Sequence, residues 1–219
     1  MISSTVENYL KAAYIMSHDQ PVSEPVSLGG VAERLKVTPG TVTTMVKHLA
    51  NKGLVSYKSR QGLRLTEEGQ QLAASVLRKH RLVERFLVDV LGLDDEAVHA
   101  EAEVLEHSLS DLVINRIDAF LGYPELDPHG SPIPGEDGVM RGKALQSLAD
   151  CSVGTYMVCK IASEDAAFVQ WLNDNGLQMG SALEMVLHDT HRDLVAIKTD
   201  SQTEPITLGM RSAAKLMVR

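Results

Sequence analysis

The sequence has no long hydrophobic run and very few cysteines, and both absences narrow the possible function classes. None of its apolar stretches approaches the ~20 residues that a membrane-spanning helix needs. Its first residues, MISSTVE, have neither the basic flank nor the apolar stretch of a signal peptide. The 2 cysteines, Cys151 and Cys159, form neither a CxxC redox pair nor a zinc knuckle. We therefore expect a cytoplasmic protein with no membrane partner and no disulfide framework.

The sequence also lacks the common catalytic signatures. It contains no HExxH, no nucleophile elbow and no phosphate-binding loop. Its composition, with 44% hydrophobic and 23% charged residues over 219 positions, is that of an ordinary globular protein. These observations disfavour an enzyme.

Positive charge is scarce overall but concentrated near the N-terminus. The formal net charge is −8, yet residues 1–70 carry 8 Lys or Arg against 6 Asp or Glu, while residues 71–122 and 123–219 are both acidic. No acidic residue interrupts the basic set between positions 34 and 66, which comprises Arg34, Lys36, Lys47, Lys52, Lys58, Arg60 and Arg64. Such a stretch indicates either a surface that binds phosphates or a solvated basic face.

Residues 1–70 have the pattern of a winged helix-turn-helix. Apolar spacing predicts helices over 6–16, 27–35 and 38–51, with Ser27 and Thr38 as N-caps of the second and third helices. Alternating residues on either side of a basic turn then predict a small hairpin, the wing. Three helices followed by a basic hairpin are typical of a winged helix that places its third helix on DNA.

The outward side of that third helix and the wing tip supply the predicted contacts to double-stranded DNA. These residues are Thr38, Pro39, Gly40, Thr41, Thr43, Thr44, Lys47 and Arg60. Threonine methyl groups can meet thymine methyl groups, but threonine is a weak reader of base edges beside arginine or asparagine. We therefore expect modest sequence specificity per contact.

Three further helices are predicted between residues 66 and 120. They run from Thr66 to about Val90, from Asp94 or Asp95 to about Leu109, and over 111–120. Their surplus apolar area indicates a dimerisation module. The alternative is that this area is buried in the core of a single protomer. A homodimer with two-fold symmetry would match a palindromic operator. A segment rich in Pro and Gly, YPELDPHGSPIPGEDG, then separates this half from a half with strand-like runs.

Histidines and carboxylates gather on two of these predicted helices. They are His80, Glu84, His99, Glu103, Glu106 and His107. The first two are four residues apart on one face, and the other four fall within an arc of about 100° if their helix is continuous. A lone His/Glu pair is more often a solvated helix pair, but four titratable groups on one helix face favour a metal site. Nitrogen and oxygen ligands without thiolate suit Mn(II) or Fe(II) and tolerate Zn(II) or Co(II).

The order of the motifs resembles the diphtheria-toxin-repressor family of metal-activated bacterial repressors. After the winged helix come RKHRLVERFL at 78–87, VHAEAE at 98–103, EHSLSD at 106–111 and GSPIPG at 130–135, so the resemblance covers essentially the whole chain. It implies a primary, activating metal site formed by Asn8, Glu103, Glu106 and His107. It also implies an ancillary metal site formed by His80, Glu84 and His99.

Two departures from the family pattern bear on the choice of metal. Glu103 stands where the iron-responsive repressors have cysteine, as in the manganese-responsive branch, which favours Mn(II). Asn8 and Lys11 stand where that branch has an aspartate and a second carboxylate one turn later. Because Asn8 brings no charge, we expect two separated sites rather than a fused pair of metals.

The last part of the chain resembles the family's SH3-like domain. Strand-like runs lie at 155–161, 182–187, 194–197 and 213–218, around a short helix at 166–173. In relatives this domain supplies a Glu and a Gln to the ancillary metal, but the matching positions here are Lys160 and Ser163. Glu164 or Asp165 is the alternative ligand close by in sequence.

The sequence thus predicts an α+β protein with four segments. They are a winged helix-turn-helix DNA-binding domain (1–70), a helical dimerisation and metal-binding domain (71–122), a linker (123–144) and an SH3-like β domain (145–219). The resemblance implies a Mn(II)-activated repressor of metal-uptake genes, with Fe(II) as the alternative activator and Zn(II), Co(II) or Ni(II) as substitutes in vitro. The competing hypotheses are a metal-dependent hydrolase and a regulator whose effector is an organic ligand or a redox signal.

Overall fold

The computed structural model describes residues 2–18, 24–142, 145–163, 165–199, 202 and 204–219. The chain has an α+β fold that divides into two compact units. Unit 1 comprises Met1–Pro128 and Ile133–Arg141, and unit 2 comprises His129–Pro132 and Gly142–Arg219. The Pro- and Gly-rich segment is therefore shared between the two units. None of the described helices is both long and apolar enough to cross a bilayer.

Unit 1 begins with a winged helix-turn-helix. Its elements are α1 (Ser4–His18), α2 (Leu28–Arg34), α3 (Pro39–Asn51), β1 (Val55–Lys58) and β2 (Gly62–Leu65). The predicted N-caps are confirmed, because the side chains of Ser27 and Thr38 accept hydrogen bonds from the backbone of α2 and α3. The two strands pair antiparallel, and Val26 pairs with Leu63 at the side of the hairpin, which fixes the wing against the segment before α2.

The inward face of α3 anchors this part of the fold. Val42, Val46 and Leu49 are at most 1% exposed and pack in one cluster with residues of α1, α4 and the wing. Their spacing of three and four residues places all three on one side of the helix. The opposite side of α3 is consequently left to solvent.

Three helices complete the helical part of unit 1. They are α4 (Glu67–Asp89), α5 (Asp95–Leu105) and α6 (Asp111–Phe120). The helix predicted to reach Leu109 instead ends at Leu105, so His107 lies in the following turn and not on α5. The amides of Ser108 and Leu109 both donate to the Leu105 carbonyl, and the chain turns there so that Ser110 can cap α6.

Part of the Pro- and Gly-rich segment is firmly packed in unit 1. Ile133 is fully buried in the cluster formed by α4, α5 and α6. The Arg141 guanidinium makes two hydrogen bonds of 2.6 Å to the Asp118 carboxylate, which also accepts one from Arg78 at 2.7 Å. Apolar side chains left exposed on α5, α6 and the residues after α6 are Val104, Leu112, Val113, Phe120 and Tyr123.

Unit 2 is a 6-stranded antiparallel sheet in the order β3-β8-β4-β5-β6-β7. The elements are β3 (Gln146–Ser147), β4 (Gly154–Ile161), α7 (Ala166–Asp174), β5 (Ala182–Asp189), β6 (Leu194–Thr199), β7 (Ile206–Gly209), α8 (Met210–Ala213) and β8 (Leu216–Val218). The closing strand begins at Leu216 rather than the predicted Ala213, because the short helix α8 occupies the preceding residues. Cys151 and Cys159 are both free thiols.

Candidate metal centre

Acidic and histidine side chains from α1, α4 and the end of α5 form one polar cluster in unit 1. On α4, His80 and Glu84 are buried, with His80 Nε2 3.0 Å from Glu84 Oε1. On its other side His80 Nδ1 lies 2.7 Å from Glu106 Oε2. The more exposed His99 of α5 places its Nδ1 3.1 Å from Glu84 Oε1. Each histidine is therefore held by a carboxylate from a neighbouring element.

Two groups of ligand atoms in the cluster are close enough to share an ion. One group is Glu103, Glu106 and His107, and the other is His80, His99 and Glu103; in each, the donor atoms lie within 4.8 Å of one another. Glu103 belongs to both groups, so they are neighbours. Glu84 contacts both histidines of the second group.

His107 is oriented by a residue that no sequence motif singles out. Its Nδ1 lies 2.5 Å from Glu7 Oε2 on α1. Its Nε2 is buried, 3.2 Å from Glu106 Oε1, and makes no hydrogen bond to any described residue. A carboxylate behind a histidine that ligates a metal commonly fixes the ring and its tautomer. In the sequence, the only feature that points to Glu7 is its position directly before Asn8.

Asn8 also presents an atom without a partner. Its Oδ1 is buried and accepts no hydrogen bond from the described residues. Buried polar atoms are rarely left unsatisfied unless a water, ion or ligand completes them. Glu103, Glu106 and His107 offer two carboxylates and one imidazole nitrogen, and an amide oxygen would complete a donor set that suits Mn(II) or Fe(II). The residues present therefore fit a divalent metal.

Lys11 lies among the same carboxylates. Its ammonium Nζ is 2.6 Å from Glu103 Oε1 and 2.8 and 2.9 Å from the two oxygens of Glu106. The residue is 7% exposed, and Glu106 is 1% exposed. In the sequence, Lys11 is notable only because it replaces a carboxylate of the manganese-responsive branch. In the structure it is the main cation in contact with both glutamates.

These contacts shift the pKa values of two members of the cluster. Burial on its own would lower the pKa of His80, but its hydrogen bonds to Glu106 and Glu84 outweigh burial and raise the pKa to about 9. For Glu103, burial would raise the pKa, but the hydrogen bond and charge of Lys11 outweigh it and lower the pKa. At neutral pH His80 is therefore protonated and Glu103 is ionised.

Comparison with known proteins places the chain in a family. A family model for the N-terminal DNA-binding domain of iron-dependent repressors matches residues 1–63, and one for their metal-binding and dimerisation domain matches residues 66–135. The diphtheria toxin repressor of Corynebacterium glutamicum is 33% identical over 193 residues, which are 83% of this chain and 83% of that protein. The chain belongs to the diphtheria toxin repressor family. It is therefore a metal-dependent transcriptional repressor, and the hydrolase hypothesis is wrong.

The chain is similar to both manganese-dependent and iron-dependent repressors. A solved manganese-dependent transcriptional repressor in complex with manganese superposes with a TM-score of 0.73 at 35% identity, covering 98% of this chain and 99% of the other. The iron-dependent repressor IdeR of Mycobacterium tuberculosis is 42% identical over 131 residues, 60% of this chain and 56% of that protein. The comparisons thus confirm a metal-dependent repressor that binds DNA and dimerises, and they do not decide the metal.

The matched DNA-binding domain leaves one side of α3 and the wing exposed. All seven basic residues between positions 34 and 66 are exposed. Of the predicted contact residues, Thr38, Pro39, Gly40, Thr41, Thr44, Lys47 and Arg60 are exposed and Thr43 is half-buried. The hydroxyl groups of Thr43 and Thr44 donate to backbone carbonyls one turn earlier on α3. These two hydroxyl groups are therefore engaged within the helix.

In unit 2, Ser163 and the alternative metal ligand Asp165 both have local partners. Ser163 Oγ accepts hydrogen bonds from the Asp165 amide and from Lys215 Nζ. Asp165 is the N-cap of α7, and its carboxylate accepts from the amides of Ala167 and Phe168. Glu164 lies outside the described residues. Asp165 therefore already has a structural role as a helix cap.

Proposed function

We propose that the protein is a Mn(II)-activated repressor of genes for metal uptake. The observation that carries this proposal is the donor set of Glu103, Glu106, His107 and Asn8, which contains nitrogen and oxygen but no sulfur. Hard carboxylate and amide oxygens favour Mn(II) over ions that prefer thiolates. The full-length similarity to a manganese-dependent repressor supports the same metal.

The proposed primary site connects elements that are far apart in sequence. Asn8 belongs to α1, which also packs against the DNA-binding elements through Val6 and Leu10. Glu103, Glu106 and His107 belong to the end of α5 and its following turn. A divalent ion bound by all four would join α1 to that turn. The winged helix would then be held in one orientation relative to the dimerisation helices.

Residues of this chain prepare the site. Glu7 holds His107 Nδ1, which leaves Nε2 directed at Glu106. His80, Glu84 and His99 form the proposed ancillary site, where Glu84 already contacts both imidazoles. Because activation depends on differential affinity for the DNA-binding arrangement, operator DNA must tighten metal binding by the same factor as metal tightens DNA binding.

On the DNA side, we propose that a homodimer binds a palindromic operator. The exposed apolar residues of α5 and α6 supply surface for the dimer. In each protomer, α3 from Thr38 to Lys47 enters the major groove and Arg60 at the wing tip contacts the backbone. The functional domains of this proposal are residues 1–70, 71–122 and 145–219, with 123–144 as the connection.

The metal is tested by fluorescence anisotropy on DNA from upstream of the protein's own gene. Chelated protein is titrated with Mn(II) and, without oxygen, with Fe(II), each at buffered free concentration. In the general affinity order Fe(II) binds more tightly than Mn(II), so Fe(II) would be expected to activate at the lower free concentration. Activation by Mn(II) at a much lower free concentration than this order predicts supports the manganese proposal. Activation by Fe(II) alone, which the similarity to IdeR would favour, contradicts it. Zn(II), Co(II) and Ni(II) are expected to substitute in vitro.

A further inference from the structure

Lys11 places its ammonium on the carboxylate oxygens that the proposed primary site would offer to a metal. The ammonium contacts one oxygen of Glu103 and both oxygens of Glu106, within 2.9 Å in each case. These carboxylates supply two of the three donors of the candidate group that includes His107. The side chain of Lys11 is 9% exposed and that of Glu106 is fully buried. A built-in cation therefore already offsets one of the two negative charges of this group.

Burial explains why Lys11 and the two glutamates hold each other. A buried ammonium is strongly disfavoured unless carboxylates contact it, and a buried carboxylate such as Glu106 is disfavoured without a cation. Lys11 follows Glu7 by one helical turn on α1, so the same helix that positions His107 also delivers the ammonium. No other lysine or arginine among the described residues has a salt bridge to Glu103 or Glu106.

The ammonium and a divalent ion compete for the same oxygens. Both oxygens of Glu106 are taken by Lys11, so an ion coordinated by this carboxylate would lie next to a like charge in a buried place. The long, flexible lysine side chain allows the ammonium to withdraw, whereas the backbone of α1 is held by its buried neighbours.

We propose that Lys11 is an affinity-determining residue of the metal site, an internal cation that must leave Glu103 and Glu106 before the metal binds. This inference rests on the proposed function, because it assumes that these glutamates are metal ligands. The ammonium ties α1 to the end of α5 in the metal-free protein and is exchanged for the metal on activation. It raises the free metal concentration at which the site fills.

The test compares Mn(II) affinity among lysine variants of the full chain. Free Mn(II) is followed by its electron paramagnetic resonance signal during titration of wild type, Lys11→Met and Lys11→Arg. Lys79→Met is the matched control, since Lys79 neighbours His80 in sequence but pairs with the exposed Asp111 at 2.8 Å. The control measures the general effect of removing one positive charge near the site. Thermal melting of each metal-free variant is recorded in parallel.

Lys11→Met is expected to bind Mn(II) at least about tenfold more tightly than both wild type and Lys79→Met. Its metal-free form should melt below wild type, and Mn(II) should close that gap, while Lys11→Arg stays near wild type. Affinity equal to that of Lys79→Met, or weaker than wild type, would overturn the role of Lys11. Failure of wild type itself to bind Mn(II) would instead overturn the proposed function, and this inference with it.

Discussion

Metal-free protein should lose stability as the pH rises from neutral towards 10, because a protonated His80 joins two buried carboxylates. Its ring nitrogens lie 3.0 Å from Glu84 and 2.7 Å from Glu106. Burial opposes the charged imidazole, but the two hydrogen bonds outweigh burial and raise the pKa to about 9. Deprotonation leaves the carboxylates without this cation.

The sign and size of the effect follow from the two pKa values. A group whose pKa is raised on folding stabilises the folded state fully below its unfolded pKa of 6.5, and that stabilisation disappears as the pH passes about 9. A shift of this size corresponds to stabilisation on the order of 3 kcal/mol. The window of loss therefore runs from about pH 6.5 to somewhat above pH 9.

Urea denaturation in the presence of chelator measures this difference. Helical circular dichroism is followed at about pH 6 and about pH 10, because unit 1 contains most of the helix. Glutamine cannot be protonated, so the His80→Gln variant reports the pH dependence of all other titrating groups. Subtracting its loss from that of wild type isolates the contribution of His80. Wild type should lose on the order of 3 kcal/mol more than the variant between the two pH values. Equal losses in both proteins would refute a charged His80 in the cluster.

Gly69→Ala should destabilise unit 1 by about 2 kcal/mol, because its Cβ would lie 2.0 Å from a backbone carbonyl oxygen. Gly29 is a helical position with open space around an added Cβ, so Gly29→Ala should stabilise unit 1 by up to about 1 kcal/mol. Urea midpoints of the two variants equal to that of wild type would contradict both expectations. Asp118→Asn should cost about 3–5 kcal/mol, because two arginines share this buried carboxylate, and a thermal shift near zero would argue against it. Lys47→Ala should weaken binding to all DNA sequences alike and reduce the salt slope by about one, as measured by anisotropy; an unchanged slope would remove Lys47 from the interface.

Much of the helical fold follows from local signals in the sequence. Ser27 and Thr38 each cap a helix through the side-chain oxygen, at the positions that the sequence predicts. Such caps depend only on residues within one turn, so they can be identified without knowledge of the fold. The end of α5 could not be predicted in this way. There Ser108 and Ser110 favour a turn over the helical periodicity of the apolar residues.

The composition of the candidate site was harder to predict than its histidines and glutamates. The partners of His107 and Glu106 on α1, Glu7 and Lys11, lie about a hundred residues earlier in the chain. They come together because α1 and α5 both pack against α4, and neither residue type is distinctive by itself. In unit 2, strand β7 and the short helix α8 lacked the periodicity that identifies longer elements.

We expect metal at Glu103, Glu106 and His107 to switch on DNA binding. This switch is measured by Mn(II)-dependent anisotropy of wild type, Glu106→Gln and Glu101→Ala on the same upstream DNA. Glu101 is an exposed residue of α5 outside the cluster and serves as the matched control. We predict that wild type and Glu101→Ala bind DNA only with Mn(II), while Glu106→Gln, folded by circular dichroism, loses the response. An unchanged Mn(II) response in Glu106→Gln, or tight binding by chelated wild type, would contradict this expectation.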